Sequence, residues 1–333
     1  MSHGLPFDFA SGMQRQTMEI AVLDLGSTTF HLQHIRVDGA GQFSTCLDEK
    51  RSNCLGAQVF SAGFLDHRAW LNGMTSVDEL LELSQTRHPD HLAIVATSAI
   101  RSASNGARFA EEIERRRKVA VRILDPSDEA RLAYLGQSTS PCVGGRRVAV
   151  VDLGGGSVEL AVGEGVRCLR AASLPIGAVR MRATHGGERF LKADMTRVVR
   201  GVRQAAAAEL AVVRELSPEI VVFGSGSARA ARKLLMRTTN LPGKLGPVDV
   251  PEFRVQLNAL TGYLPEHLLE LGVEPARAPT VLVAATIMLE LLDMLGAHQA
   301  LVSDKGLRDG VALEVYRDLV VQRRAAANDV AVA

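Results

Sequence analysis

The chain has 333 residues, 38 Lys and Arg against 37 Asp and Glu, a net charge of +1 and 47% hydrophobic content. That length suits two domains with real cores, and the balanced charge excludes bulk electrostatics as a way to hold nucleic acid or an anionic membrane. No run reaches the ~18 apolar residues a membrane span needs, because Glu290 and Asp293 interrupt the best candidate.

Residues 1–18 have no periodicity and read as a loose tail without the charged-then-apolar order of a signal peptide. Strands are expected at 19–25 and 28–37, then a helix over 76–86, a strand over 92–97, a helix over 104–117 and a strand over 119–124. A helix over 127–138 opens on Asp128 and Glu129, where the macrodipole favours negative charge. The turn-rich stretch STSPCVGG (139–146) divides a domain of residues 1–138 from one of residues 139–333. Beyond it, strands at 147–153, 157–163 and 219–223 alternate with helices at 194–216, 226–236, 251–271 and 280–295. The Ala- and Val-rich segment after Arg323 is expected to fray. Strands interleaved with helices make the chain α/β. The four cysteines (Cys46, Cys54, Cys142, Cys168) form no C-x-x-C pair and read as free thiols in a reducing, cytoplasmic setting.

One internal repeat organises this pattern. Residues 20–32, IAVLDLGSTTFHL, lie over residues 148–160, VAVVDLGGGSVEL, with six of thirteen positions identical and no gap. Each copy is an apolar strand ending in Asp-Leu-Gly, a small-residue turn and an alternating strand. Two such hairpins at domain-length separation imply a duplicated domain. Glycine lets backbone N–H groups approach an anion closely, and the Asp at the strand end offers a carboxylate to a cation beside it. A third small-residue element, Gly224-Ser225-Gly226-Ser227, follows an apolar run and precedes a helix, a common anion site. It matches neither the P-loop nor the dinucleotide-binding pattern.

Taken in order, AVLDLGSTTFHL (21–32), ATSAIRSASNG (96–106), DEARLAYLG (128–136), VVDLGGGSVEL (150–160), SLPIGAVRM (173–181) and SDKGLRDGVALE (303–314) resemble the exopolyphosphatase/guanosine pentaphosphate phosphatase (Ppx/GppA) family. The resemblance implies two related ribonuclease-H-like domains of the actin/sugar kinase/Hsp70 superfold around a phosphate-binding cleft, with the C-terminal helix returning to the first. It implies Glu129 as the base that activates water, and Asp152 and Glu159 as the acidic pair for Mg²⁺ or Mn²⁺. It places Arg101 and the turns Gly26-Ser27-Thr28, Gly154-Gly155-Gly156-Ser157 and Gly224-Ser225 on the phosphates. Its substrates would be inorganic polyphosphate or guanosine pentaphosphate, handled by a homodimer. Cys54 stands where many members carry Arg, and the chain is expected to lack the domains that longer members append beyond the C-terminal helix. Short polyphosphates are therefore the expected preference.

Two other readings of the same fold compete. A kinase would need an adenosine pocket, which the weak glycine content of 224–228 and Ala284 disfavours. A polyphosphate or phosphorylated-nucleotide binder without hydrolysis would not need Glu129, Asp152 and Glu159 together. Residue by residue, Glu129 also suits a helix cap, Arg101 an ion pair with Asp128 or Glu111, and Glu159 a solvated strand position. Arg115–Lys118 suits a solvated helix end or a contact to an anionic chain. None of the nine histidines has metal-ligand spacing.

Overall fold

The computed structural model describes residues 17–38, 41–140, 143, 145–184, 189–239 and 246–332. Strands β1 (Met18–Leu25), β2 (Thr29–Val37) and β3 (Phe43–Ser52) form an antiparallel meander. Helices α1 (Leu55–Ala62) and α2 (His67–Gln85) follow, then β4 (His91–Ala96), α3 (Ser98–Ser102), α4 (Gly106–Arg117), β5 (Val121–Ile123) and α5 (Pro126–Gln137). β4 joins β1 and β5 joins β4 in parallel, giving a sheet of order β3-β2-β1-β4-β5.

The second half begins with another antiparallel meander, β6 (Arg147–Leu153), β7 (Val158–Glu164) and β8 (Arg167–Leu174). After it come α6 (Ala178–Ala183), α7 (Lys192–Glu215), β9 (Ile220–Gly224), α8 (Ser225–Thr239), β10 (Gly246–Asp249), α9 (Val250–Leu260) and α10 (Pro265–Glu270). The chain ends with α11 (Val281–Leu295), β11 (Gln299–Val302) and α12 (Leu307–Val332). In the order β10-β11-β9-β6-β7-β8, strands β6, β7, β8, β9 and β11 occupy the places of β1 to β5. β10 is added as an antiparallel edge. The repeated hairpin is thus the visible part of a repeated sheet.

Period-2 alternation in β1 feeds two cores. Ala21, Leu23 and Leu25 pack with α1, α2 and α4; Met18, Ile20 and Val22 pack with α5 and with Leu307, Val311 and Ala312 of α12. In the second half Val198, Val202, Ala206 and Leu210 of α7 meet Ala149, Val151 and Leu153 of β6. The longest apolar run became α11, buried on every side from Val281 to Leu292 and therefore a core helix. Among the described residues no helix is long and apolar enough to cross a membrane.

Several elements differ from the sequence reading. β3, β8, β10, β11, α1, α3, α6 and α12 carried no clear period. The helix expected over 76–86 starts earlier, at His67, where the Asp66 side chain accepts from the Ala69 amide at 2.7 Å. The helix expected over 251–271 is two, separated around Gly262, whose φ is +92°, with Pro265 in the first turn of α10. The segment after Arg323 continues α12, consistent with its alanines. Met18 is already inside β1, and the rest of the expected tail, residues 1–16, lies outside the described residues, as do 141, 142 and 144 of the expected boundary. Cys46, Cys54 and Cys168 are free thiols; Cys142 lies outside the described residues.

Where α5 crosses α12 the backbones nearly touch. A Cβ on Gly136 would lie 1.8 Å from the Gly306 carbonyl oxygen, and one on Gly310 would lie 1.9 Å from that of Leu132. Glu314 of α12 binds Arg122 at 2.6 Å and Arg131 at 2.5 Å, and both arginines also reach Asp128. This network fixes the N-terminal turn of α5, which carries Glu129.

Candidate active site

The two hairpin turns line one cavity of about 120 Å³. They are in contact, since a Cβ on Gly155 would stand 3.0 Å from Oγ1 of Thr28. Their carbonyl groups are turned away and bound. The Ser27 carbonyl accepts from the Gly56 amide at 2.7 Å, and that of Thr28 from the Cys54 amide at 3.0 Å. In the second turn the Gly154 carbonyl accepts from Ala178 N–H at 3.1 Å, and that of Gly155 from Val179 and Arg180 N–H at 2.8 and 3.0 Å. Among the described residues no backbone carbonyl accepts from the amides of Gly155, Gly156 or Ser157. A peptide plane whose C=O is held outward presents the following N–H to the cavity, which makes an anion cradle. Glycine is required sterically here: a Cβ on Gly156 would lie 2.4 Å from Ser98 Oγ and from Phe60 Cζ.

Four carboxylates converge on this cradle. Asp24 and Asp152 end the equivalent strands β1 and β6, Glu159 comes from β7 and Glu129 from α5. Burial raises each pKa. Glu129 is pushed up to about 7 by burial, against the pull of Arg101 and with the push of Asp24 and Asp152. Asp152 rises to about 6 through burial, Arg308 opposing and Asp24 adding. Asp24 is raised by burial against Arg308, and Glu159 is raised by burial and by Glu129 and Asp152. Glu159 is 3% exposed and accepts from Ser173 Oγ at 2.8 Å. It is not the solvated strand position that alternation allowed, because β7 is covered on both sides.

Arg101 stands behind Glu129 and outside the cavity lining. Its Nη1 donates to Glu129 Oε2 at 2.7 Å and to the Leu124 carbonyl at 2.6 Å. Its partner is therefore Glu129, and neither Asp128 nor Glu111. Gly224 also stands one layer back, paired with Asp152 across β9 and β6. Ser225 reaches the lining, yet its hydroxyl donates to the Leu153 carbonyl at 2.6 Å.

Sequence reasoning missed the cationic wall. Lys50 of β3, Arg229 of α8, Arg277, Lys305 and Arg308 of α12 all line the same cavity as the carboxylates. Arg308 holds Asp24 at 3.1 Å. It sits in the SDKGLRDG segment, and Arg229 lies one helical turn beyond Ser225, so both had a local signal. Lys50 and Arg277 had none that chemistry could read. Asp24 had a signal in the repeat, as the counterpart of Asp152. Arg115 and Arg116 pair with Glu112, and Arg117 with Asp78, on a helix that does not line the cavity.

A βββαβαβα unit built twice around an anion cradle defines the class: a two-domain α/β protein of the actin/sugar kinase/Hsp70 superfold. Residues 35–318 match the model of the Ppx/GppA phosphatase family, and the chain belongs to that family. Guanosine-5'-triphosphate,3'-diphosphate pyrophosphatase of Vibrio vulnificus (strain YJ016) is 27% identical over 304 residues, covering 90% of this chain and 59% of the relative. The chain thus spans less than two thirds of the length of the curated relatives it matches. The crystal structure of an exopolyphosphatase from Cytophaga hutchinsonii superposes with a TM-score of 0.82 at 22% identity, covering 90% of this chain and 97% of that one. The Aquifex aeolicus Ppx/GppA family member superposes with a TM-score of 0.75 at 26% identity, covering 91% and 99%.

Proposed function

We propose that the protein is a phosphohydrolase releasing terminal orthophosphate from inorganic polyphosphate, short chains preferred, from guanosine pentaphosphate, or from both. The observation that carries this reading is Glu129, a buried carboxyl held at 2.7 Å by Arg101 beside an anion cradle, with its pKa raised to about 7. A general base works best when its pKa lies near the working pH. In the proposed reaction the cradle amides hold the terminal phosphoryl oxygens, and Glu129 accepts a proton from water. The water oxygen bonds to phosphorus as the bond to the bridging oxygen breaks, giving orthophosphate and a chain one unit shorter. Arg101 fixes one carboxylate oxygen and leaves Oε1 for the water. Lys50, Arg229, Arg277, Lys305 and Arg308 offset charge on the remaining phosphates. A cavity of about 120 Å³ is well below the ~300 Å³ of ordinary small-molecule pockets, so it suits a phosphoryl end with the rest of the substrate outside.

The residues fit a divalent cation. Four carboxylates are crowded together and Asp24 Oδ1 is buried with no hydrogen-bond partner. An ion here would be held through one or two carboxylates together with substrate phosphates; among the described residues no group of three or more His, Cys, Asp or Glu could hold one alone. Asp152 and Glu159 would hold Mg²⁺ or Mn²⁺, with Asp24 adjacent, and the ion would neutralise charge on the phosphate oxygens.

Incubating the protein with polyphosphate or guanosine pentaphosphate and Mg²⁺, then measuring free phosphate, tests the proposal. Release should stop with EDTA and fall at least ~10²-fold in Glu129→Gln, the size of a general-base contribution. Tight binding of either compound with no phosphate released would instead identify a binder.

A further inference from the structure

Arg180 of α6 reaches both halves of the molecule at the cradle. Its Nε donates to the Gly156 carbonyl at 2.8 Å. Its Nη2 donates to Ser102 Oγ at 3.1 Å and to Ser98 Oγ at 3.4 Å. The guanidinium carbon lies 4.0 Å from the centroid of the Phe60 ring, a cation–π stack. Phe60 is on α1, and Ser98 and Ser102 are on α3, all from the first half of the chain; Gly156 and Arg180 belong to the second. None of the ion pairs among the described residues includes Arg180, and it does not line the cavity. Its planar fork is therefore committed to neutral acceptors and an aromatic face.

We propose that Arg180 is a positioning residue that clamps the second phosphate turn onto α3, so that the cradle and the catalytic base keep one fixed geometry. The chain of contacts is short. Gripping the Gly156 carbonyl sets the peptide plane whose N–H, on Ser157, faces the cavity. Binding Ser98 and Ser102 ties that plane to the helix that carries Arg101, and Arg101 holds Glu129. A lysine would keep the charge and lose both the fork and the stack. The kinetic part of this inference rests on the hydrolase reading; the structural part does not.

The test compares wild type with Arg180→Gln, Arg180→Lys and the milder Ser102→Ala by two measurements. One is kcat and KM for phosphate release from short polyphosphate with Mg²⁺. The other is amide hydrogen exchange of residues 154–157 and 97–102 without substrate. The expected result for Arg180→Gln is kcat lower by ~10- to 100-fold, the scale of an ångström-sized misplacement, with KM within a factor of ~3. Exchange should become faster in both segments and stay unchanged in α7 and α11. Arg180→Lys should behave like Arg180→Gln, and Ser102→Ala should shift both readouts less in the same direction. Exchange unchanged in either segment, or kcat unchanged with KM raised, overturns the proposal, the latter by making Arg180 a direct substrate contact. Wild type that releases no phosphate refutes the hydrolase reading, while the exchange data still decide the clamp.

Discussion

At the residue scale the proposed reaction turns on one carboxyl group in two opposing fields. Burial pushes Glu129 up, Arg101 pulls it down, and it settles at about 7 against an ordinary 4.5. A base works only when ionised, so kcat/KM should be full above pH ~7 and fall tenfold per unit below it. Removing the cation removes the downward pull. Arg101→Gln should therefore move the acid limb to higher pH, and the pH profile of the variant beside wild type checks this; an unmoved limb would mean that Arg101 does not govern the base. How far the site was legible follows the same logic. The glycines, Asp152 and Glu129 stand in runs whose local pattern already implies an anion and a carboxylate. Lys50 and Arg277 stand in no pattern, because what makes them part of the site is the meeting of β3 with the loop before α11. Glu159 reads as an outward strand residue until the covering of β7 is known.

Among the elements, the α5–α12 crossing is the tightest contact near the site. With Gly310 only 1.9 Å from the Leu132 carbonyl in Cβ terms, a methyl group there must push the helices apart. Gly310→Ala should cost at least about 1–3 kcal/mol, the usual size of overpacking, read as a lower urea midpoint at unchanged slope. Because α5 carries Glu129, the same variant should lose activity even where it remains folded. Elements with a strong apolar signature were readable from the chain: α7 buries Val198, Val202, Ala206 and Leu210 at helical spacing, while β1, β6 and α11 are near-continuous apolar runs. β3 was not, since FSTCLDEKRS is a half-exposed edge strand whose charged residues follow no alternation. α1 and α3 are too short to show a period.

Taken whole, the molecule has balanced charge yet concentrates five basic side chains in one small cavity. Arg115, Arg116 and Arg117 are paired with Glu112, Asp78 and Glu82 on a helix that does not line the cavity, and so do not continue that wall. Long polyphosphate would need an extended track, since each neutralised phosphate adds affinity through counterion release. Phosphate release per mole of chain ends should therefore be greater on short chains than on chains of several hundred units, and intermediate lengths should accumulate on a gel. Faster loss of long chains without intermediates would locate a basic track elsewhere.

The return of α12 to the first sheet has a consequence for how the chain is made. Met18, Ile20 and Val22 find part of their cover in Leu132 and Leu135 of α5 and the rest in Leu307, Val311 and Ala312, residues nearly 300 positions further along the chain. That face of the first sheet stays only partly covered, by α5, through the synthesis of nearly 300 residues. Folding strictly one half at a time from the N-terminus would leave this core incomplete, because α12, from beyond the second half's sheet, belongs to it. A fragment ending before residue 307 should bind hydrophobic dyes and aggregate, and a peptide of residues 303–322 added in trans should restore its solubility.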